Sequence, residues 1–475
     1  MTVQAASASS TSGSEPRTAL SEIPALVRGC RDAFDAGRTR PVEWRKAQLA
    51  GVVRLIREHE DEILAALHAD LGKPRLEAFA AELATTKHEA EFLLKNVAEW
   101  MKPERVPTPM TIQPGRSEIR RDPLGVVLVI APWNYPFQLA VVPMLGALAA
   151  GNAVVLKPSE VAPATSSLLA RMLPRYLDPS AVKVVEGGVQ ETTAVLDQCF
   201  DHIFYTGNGV VGRIVMAAAA KNLTPVTLEL GGKSPTYVDA SADLDVAAKR
   251  ISSGKWWNCG QTCIAPDYVL AHERIHDALV EKLRNKVTEF YGADPKKSPD
   301  YARIVNTRHL ARLEKLLGSG ETVCGGQLDP SERYLAPTIL KGVAADSPVM
   351  QDEIFGPILP VLKVKGHEEA IRFVNARPKP LALYCFTGDG SVSDAFLERT
   401  SSGGVCVNHV VLHFMVPDLP FGGVGESGMG AYHGRRTFEV FTHHKAVLHK
   451  PTFLEPTITY PPFSETKLKL IKAAL

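Results

Sequence analysis

The chain has 475 residues, 45% of them hydrophobic and 22% charged, the composition of a globular protein long enough to hold more than one domain. Its 53 basic and 52 acidic side chains leave a formal net charge of +1, so no overall charge proposes nucleic acid or an anionic membrane as a partner. Seven scattered cysteines do not make a secreted disulfide scaffold; a cytoplasmic, reducing setting is expected, and Cys259 and Cys263, lacking a second Cys/His pair, read as free thiols rather than metal ligands.

Residues 1–15 lack the basic and apolar regions of a signal peptide and read as a disordered tail. Helical spacing then runs from Ile23 to Trp100, as at Val52, Leu55, Ile56 and Ile63. Between Lys102 and Asp122 four prolines exclude helix and leave extended segments around a Pro114-Gly115 turn. Short apolar runs at Gly125–Ile130, Ala153–Leu156, Val182–Val185 and Ile203–Tyr205 alternate with helix-like Gln138–Ala150 and Thr165–Leu173, which predicts a parallel sheet covered on both faces. A second series, Thr236–Val238, Tyr268–Ala271, Ile358–Val364, Leu381–Phe386 and Gly404–Val407, predicts a second α/β domain. Leu419–Gly430 is too rich in glycine for regular structure, Thr437–His449 reads as extended, and the closing KLKLIKAAL as an amphipathic cap on its own domain. No apolar run reaches the roughly 18 residues of a membrane span.

Several stretches carry chemistry. NCGQTCIAPDY (Asn258–Tyr268) puts Cys263 in a polar loop between a helix and a strand, where a thiol can meet a substrate, although a cysteine alone more often packs as a small hydrophobe. APWNYP sets Asn134 at the end of an apolar strand, where a neutral amide can face a developing oxyanion, or simply form a turn. Gly207-Asn-Gly209-Val-Val-Gly212 is a literal G-x-G-x-x-G, and Glu229 lies near the spacing at which an acidic residue would hold a ribose; its LELGGKSP setting competes for that carboxylate. Glu160, in KPSE after strand Ala153–Leu156, is the better ribose candidate, with a solvated loop residue as the alternative. Gly231–Ser234 lacks the upstream glycine of a P-loop.

APWNYP, KPSE, FYTGNGVVG, LELGGKSP, GQTCIAPDY, EIFGP and PFGGVGESG stand in the order and spacing of the aldehyde dehydrogenase superfamily, which the chain resembles from about Ile23 to Lys450. CGQTCIAPDY, GNGVVG and YPPFSETKLKL resemble most the class 3 branch, which includes fatty and aromatic aldehyde dehydrogenases. The resemblance implies an α/β fold in which a Rossmann-like NAD(P)-binding domain (16–103 and 122–229) joins a catalytic domain (230–430) and a small β oligomerisation arm (104–121 and 431–450), followed by a tail at 451–475. It makes Cys263 the nucleophile, Asn134 and the Cys263 N–H the oxyanion hole, and Glu229 the general base. Lys157 and Glu160 would hold the adenosine ribose, Gly207 to Gly212 would pass the pyrophosphate, Glu353 and Phe355 would position the nicotinamide half, and Lys233 would support the site. Asn208 and Gly209 depart from the Ser and Thr that many relatives carry.

NAD is the expected cofactor, with NADP tolerated, and Tyr135, Trp257, Val411, Phe414 and Met415 are candidates to line an apolar tunnel for aromatic or medium- to long-chain aldehydes. A homodimer is expected. Two alternatives stand beside aldehyde oxidation: a coenzyme A-acylating dehydrogenase, and a non-catalytic structural protein on the same fold.

Overall fold

The apolar run Val126–Ile130 becomes the central strand of a six-stranded sheet, and its side chains alternate between two cores. Val127 and Val129 join the core that includes helix Gln138–Ala150, which is buried at every position; Val126, Leu128 and Ile130 meet Ile23, Val27 and Cys30 of helix Ile23–Asp35. A strand covered on both faces has no solvent side to mark with polar residues, so it reads as a continuous apolar run. These relations come from a computed structural model that describes residues 17–453, 455 and 457–474, so the tail expected at 1–15 lies outside the described residues.

Across this sheet the strands run Gly428–Met429, Val226–Leu230, His202–Gly207, Val126–Ile130, Ala153–Lys157 and Val182–Val184, all parallel except the first. The chain steps outward from Val126 through Ala153 to Val182, then returns to His202 on the other side. That reversal opens a crevice outside the carboxyl ends of Val126–Ile130 and His202–Gly207, the place where open α/β sheets take ligands.

A seven-stranded sheet follows, in the order Glu321–Cys324, Thr338–Lys341, Ile358–Val364, Tyr268–His272, Pro235–Val238, Ala382–Phe386 and Gly404–Val407, with only the first strand antiparallel. Arg116–Pro123 is the middle strand of a third sheet, flanked by Glu104–Val106 and by Thr442–His449. Among the described residues no helix is long and apolar enough to cross a membrane.

Two strands were not marked in the sequence, and three expectations need correction. Val226–Leu230 and Thr338–Lys341 are strands, the former carrying Glu229 in a VTLEL alternation that its motif had masked. The glycine-rich Leu419–Gly430 is not wholly irregular, because Gly428 pairs opposite Glu229; at its φ of +138° a Cβ would stand 2.1 Å from the Leu228 carbonyl oxygen, so only glycine allows the approach. The stretch read as extended from Thr437 begins in a helix, Arg435–Glu439, before strand Thr442–His449. Helix Glu465–Ala474 packs chiefly on the turn Thr457–Thr459 and leaves Leu468 and Leu470 exposed, so it does not cap its domain.

Candidate active site

Helix Leu244–Trp256 starts at Asp243, whose carboxylate accepts from the N–H groups of Asp245 and Val246, and stops where Asn258 and Cys259 take left-handed backbone angles (φ +50° and +56°). This turn throws Gln261, Thr262 and Cys263 toward the strand ends of the six-stranded sheet. There Asn134, buried after Val126–Ile130, donates from Nδ2 to the Gln261 carbonyl at 3.1 Å, and Tyr135 Oη pairs with Thr262 Oγ1 at 2.7 Å. The Asn134 amide is thereby fixed two residues before the thiol, with its second N–H outside that bond. On the far side Tyr384 Oη donates to the Ile264 carbonyl at 2.5 Å.

Two carboxyl groups act on this thiol. Burial first, then the charges of Glu353 and Glu229, push Cys263 up to about 12, against the opposing pull of the Cys263 and Ile264 N–H groups. Both Glu229 oxygens are buried without a hydrogen-bond partner among the described residues, and burial alone lifts this carboxyl well above its ordinary range. Glu353 lies against Gly231, where a Cβ would stand 2.0 Å from Oε2. Burial and then Asp267 raise it to about 8, opposed by the Gly232 N–H, Lys233 and Arg312. Its loop is pinned by Asp267, which accepts from the Ile354 N–H at 2.9 Å, and by Lys233, which pairs with Asp267 and donates to the Val349 and Asp352 carbonyls, each at 2.8 Å.

The chain belongs to the aldehyde dehydrogenase family. The model of the aldehyde dehydrogenase family matches residues 2–447. The chain is 50% identical over 457 residues to aldehyde dehydrogenase family 3 member H1 of Arabidopsis thaliana, covering 95% of this chain and 94% of that one. Among solved structures it resembles the substrate-bound state of Staphylococcus aureus AldH, at 44% identity and a TM-score of 0.93, covering 95% of this chain and 99% of that one. It also resembles Mycobacterium tuberculosis aldehyde dehydrogenase complexed with NAD+, at 28% identity and a TM-score of 0.84, covering 93% and 92%.

The other site residues expected of this aldehyde dehydrogenase fall into two groups. Around the crevice, Lys157 is buried, donates to the Pro158 carbonyl at 2.8 Å and stands 3.7 Å from Glu160, which is partly exposed; burial lowers this ammonium against the pull of Glu160. Gly207 ends its strand and Gly212 lies in helix Gly209–Ala220, where a Cβ would press on Leu230 at 2.9 Å. Asn208 is the N-cap of that helix, its Oδ1 accepting from the Val211 N–H at 3.0 Å, which gives the departure from Ser a structural role. Phe355 (φ +48°) meets Trp133 edge-on, with ring centroids 5.3 Å apart.

The tunnel candidates are less closely assembled. Tyr135 is tied to Thr262, and Val411 lies beside Gly254, where a Cβ would stand 3.3 Å from its methyl carbon. Trp257 is half-buried at the end of the same helix, Phe414 packs near Phe421 and His433, and Met415 is 56% exposed. Sequence reading passed over Trp133, Asp267, Asn258, Lys73, Glu77 and Glu82. Trp133, Asp267 and Asn258 sit inside motifs marked for their chemistry; the last three carry no local signal.

Proposed function

We infer that the chain oxidises aldehydes, aromatic or medium- to long-chain aliphatic, to carboxylic acids with NAD(P)+ through a covalent Cys263 intermediate. The observation that carries this reading is the convergence on one thiol of a fixed amide, Asn134, and an unpartnered buried carboxyl, Glu229. The switch-point crevice suits the cofactor: Glu353 has a buried oxygen, Oε1, without a protein partner among the described residues, and Lys157 and Glu160 stand together at the next strand end. A bound NAD(P)+ supplies the hydride acceptor.

The chain's own residues do the rest. The Cys263 sulfur, once deprotonated, bonds to the aldehyde carbon, and the carbonyl oxygen takes the negative charge in reach of the second Asn134 N–H and the Cys263 N–H. After oxidation the acyl group remains on sulfur as a thioester. Glu229, ionised, takes a proton from water as it attacks that carbon; the acid leaves and the thiol is restored. Glu160 favours NAD by opposing a 2′-phosphate, with NADP tolerated.

The two larger sheets divide the work in this reading, the six-stranded one holding cofactor and the seven-stranded one presenting Cys263. Among the described residues the eight-residue strand Thr442–His449 is an open sheet edge, which favours pairing with a second copy and a homodimer. A cytoplasmic location accords with seven free cysteines.

The test is turnover of purified protein with NAD+ or NADP+ and a panel of aromatic, short and long aliphatic aldehydes, followed by absorbance of the reduced cofactor and identification of the product. Acid formation by the wild type and none by Cys263→Ala is expected. Turnover surviving Cys263→Ala, or acyl-CoA as the only product, would overturn the reading.

A further inference from the structure

Residues 73–82 send three buried charged side chains to both loops of the site. Lys73 Nζ donates to the Asn134 carbonyl at 2.9 Å, stands 3.9 Å from the centre of the Tyr135 ring and pairs with Glu82; neither member of that ion pair is exposed at all. The second Glu82 oxygen accepts from the N–H groups of Phe137 and Gln138, at 2.8 and 3.2 Å, where helix Gln138–Ala150 begins. Glu77 Oε1 accepts from the Asn258 N–H at 2.8 Å, and Asn258 Nδ2 donates to both the Asn134 carbonyl (2.8 Å) and the Gln261 carbonyl (3.1 Å). Among the described residues, the polar groups that fix Asn134 against the Cys263 loop therefore belong to this lattice or touch it.

We propose that Lys73, held by Glu82, is a positioning residue that sets the angle at which Asn134 presents its amide to the oxyanion formed on Cys263. The proposal rests on Asn134 being an oxyanion donor. Two physical features favour a positional over a merely stabilising role. A fully desolvated ion pair gains little net stability over an apolar pair of similar volume, so its value lies in direction rather than in energy. In addition, Phe79–Ala84 is a π-helix, a rare geometry frequent at functional sites, and it is the turn that carries Glu82. The Lys73 ammonium cannot slide along its carbonyl without leaving the Tyr135 face or the Glu82 carboxylate, so Asn134 inherits a fixed orientation.

The experiment compares wild type, Lys73→Met/Glu82→Gln, Lys73→Arg, Asn134→Ala and the triple variant, reading the single-turnover rate of reduced-cofactor formation, the KM for NAD+ and the alkylation rate of Cys263 by iodoacetamide. The paired substitution removes both members of the ion pair together, the amide oxygen introduced by Glu82→Gln still accepts from the two helix N–H groups, and Glu77 keeps the Asn258 N–H, so folding is retained. Loss of one oxyanion donor costs about 100- to 1,000-fold. Lys73→Met/Glu82→Gln forfeits only part of that and is expected to slow the single turnover by at least about tenfold, with KM for NAD+ and alkylation unchanged and partial recovery in Lys73→Arg. In the Asn134→Ala background it should add nothing, because it acts through that amide. If Asn134→Ala is slow but the Lys73 change is silent, or multiplies with it, the positioning role is overturned. If Asn134→Ala itself turns over like wild type, the oxyanion reading fails instead.

Discussion

Replacing Glu229 by Gln separates the two halves of the proposed reaction. Both carboxyl oxygens are buried without a hydrogen-bond partner among the described residues, so the amide of nearly equal volume breaks no bond. Burial pushes Glu229 well above the ordinary carboxylate range and so favours its neutral form; the amide puts two unpartnered N–H groups where that form has one O–H, and stability should change by no more than about 1 to 3 kcal/mol. What is lost is the base. General-base assistance of about 100- to 10,000-fold corresponds to roughly 2.7 to 5.4 kcal/mol of barrier at 1.36 kcal/mol per tenfold. Stopped-flow absorbance of Glu229→Gln should therefore show a burst of about one reduced cofactor per site followed by turnover slowed by that factor. Wild-type turnover should rise with pH as Glu229 ionises, and the variant should lose that limb. A first turnover slowed as much as the steady state would place Glu229 before hydride transfer and refute the reasoning; an unchanged kcat would remove it from the mechanism.

Three further outcomes are expected. Glu353, raised from 4.5 to about 8, keeps a proton in the folded state that the unfolded chain gives up, so its contribution to stability is intact below about 4.5 and lost as pH rises through about 8. The urea midpoint of cofactor-free protein should therefore fall more for wild type than for Glu353→Gln between about pH 6 and about pH 9, and parallel falls would contradict this. Gly231→Ala should displace the Glu353 carboxylate, since its Cβ would stand 2.0 Å from Oε2, raising the KM for NAD+ by about tenfold or more with little change in Tm. Asn208→Ala should destabilise helix Gly209–Ala220 by about 1 kcal/mol, visible as faster amide exchange at Val211, whose N–H it caps at 3.0 Å.

What was legible in the sequence is what local pattern determines. The run Val126–Ile130 and the helix Gln138–Ala150 declare themselves because both are buried on every side, and Cys263 declares itself because a helix must end before it. Glu229 was visible as a residue but not as part of a strand, since the glycine pair after it drew attention away from the VTLEL alternation. Lys73, Glu77 and Glu82 were illegible for a different reason. In sequence they are ordinary charges in a helical segment, and they gain meaning only from Asn134 and Asn258, which lie 61 residues from Lys73 and 181 from Glu77 and meet them through tertiary packing. Met415 is a different case: an apolar residue expected at the tunnel, it stands 56% exposed in the short helix Leu412–Met415, none of whose residues is buried.

The proton count of the site orders the proposed chemistry. Cys263, Glu229 and Glu353 are three acids around one desolvated space, and the thiol is raised by both carboxylates after burial. A carboxylate that raises the thiol is, by reciprocity, itself opposed by a thiolate, so Cys263 and Glu229 do not readily carry charge together. A thiolate on Cys263 is then favoured only while Glu229 stays protonated, and at that stage Glu229 cannot act as a base. Once sulfur carries an acyl group it can no longer be negative, and the charge that opposed ionisation of Glu229 is gone. In the proposed cycle, formation of the thioester is therefore the event that would free Glu229 to lose its proton and then take one from water, so that a single buried carboxyl would stay silent through the first half and act in the second.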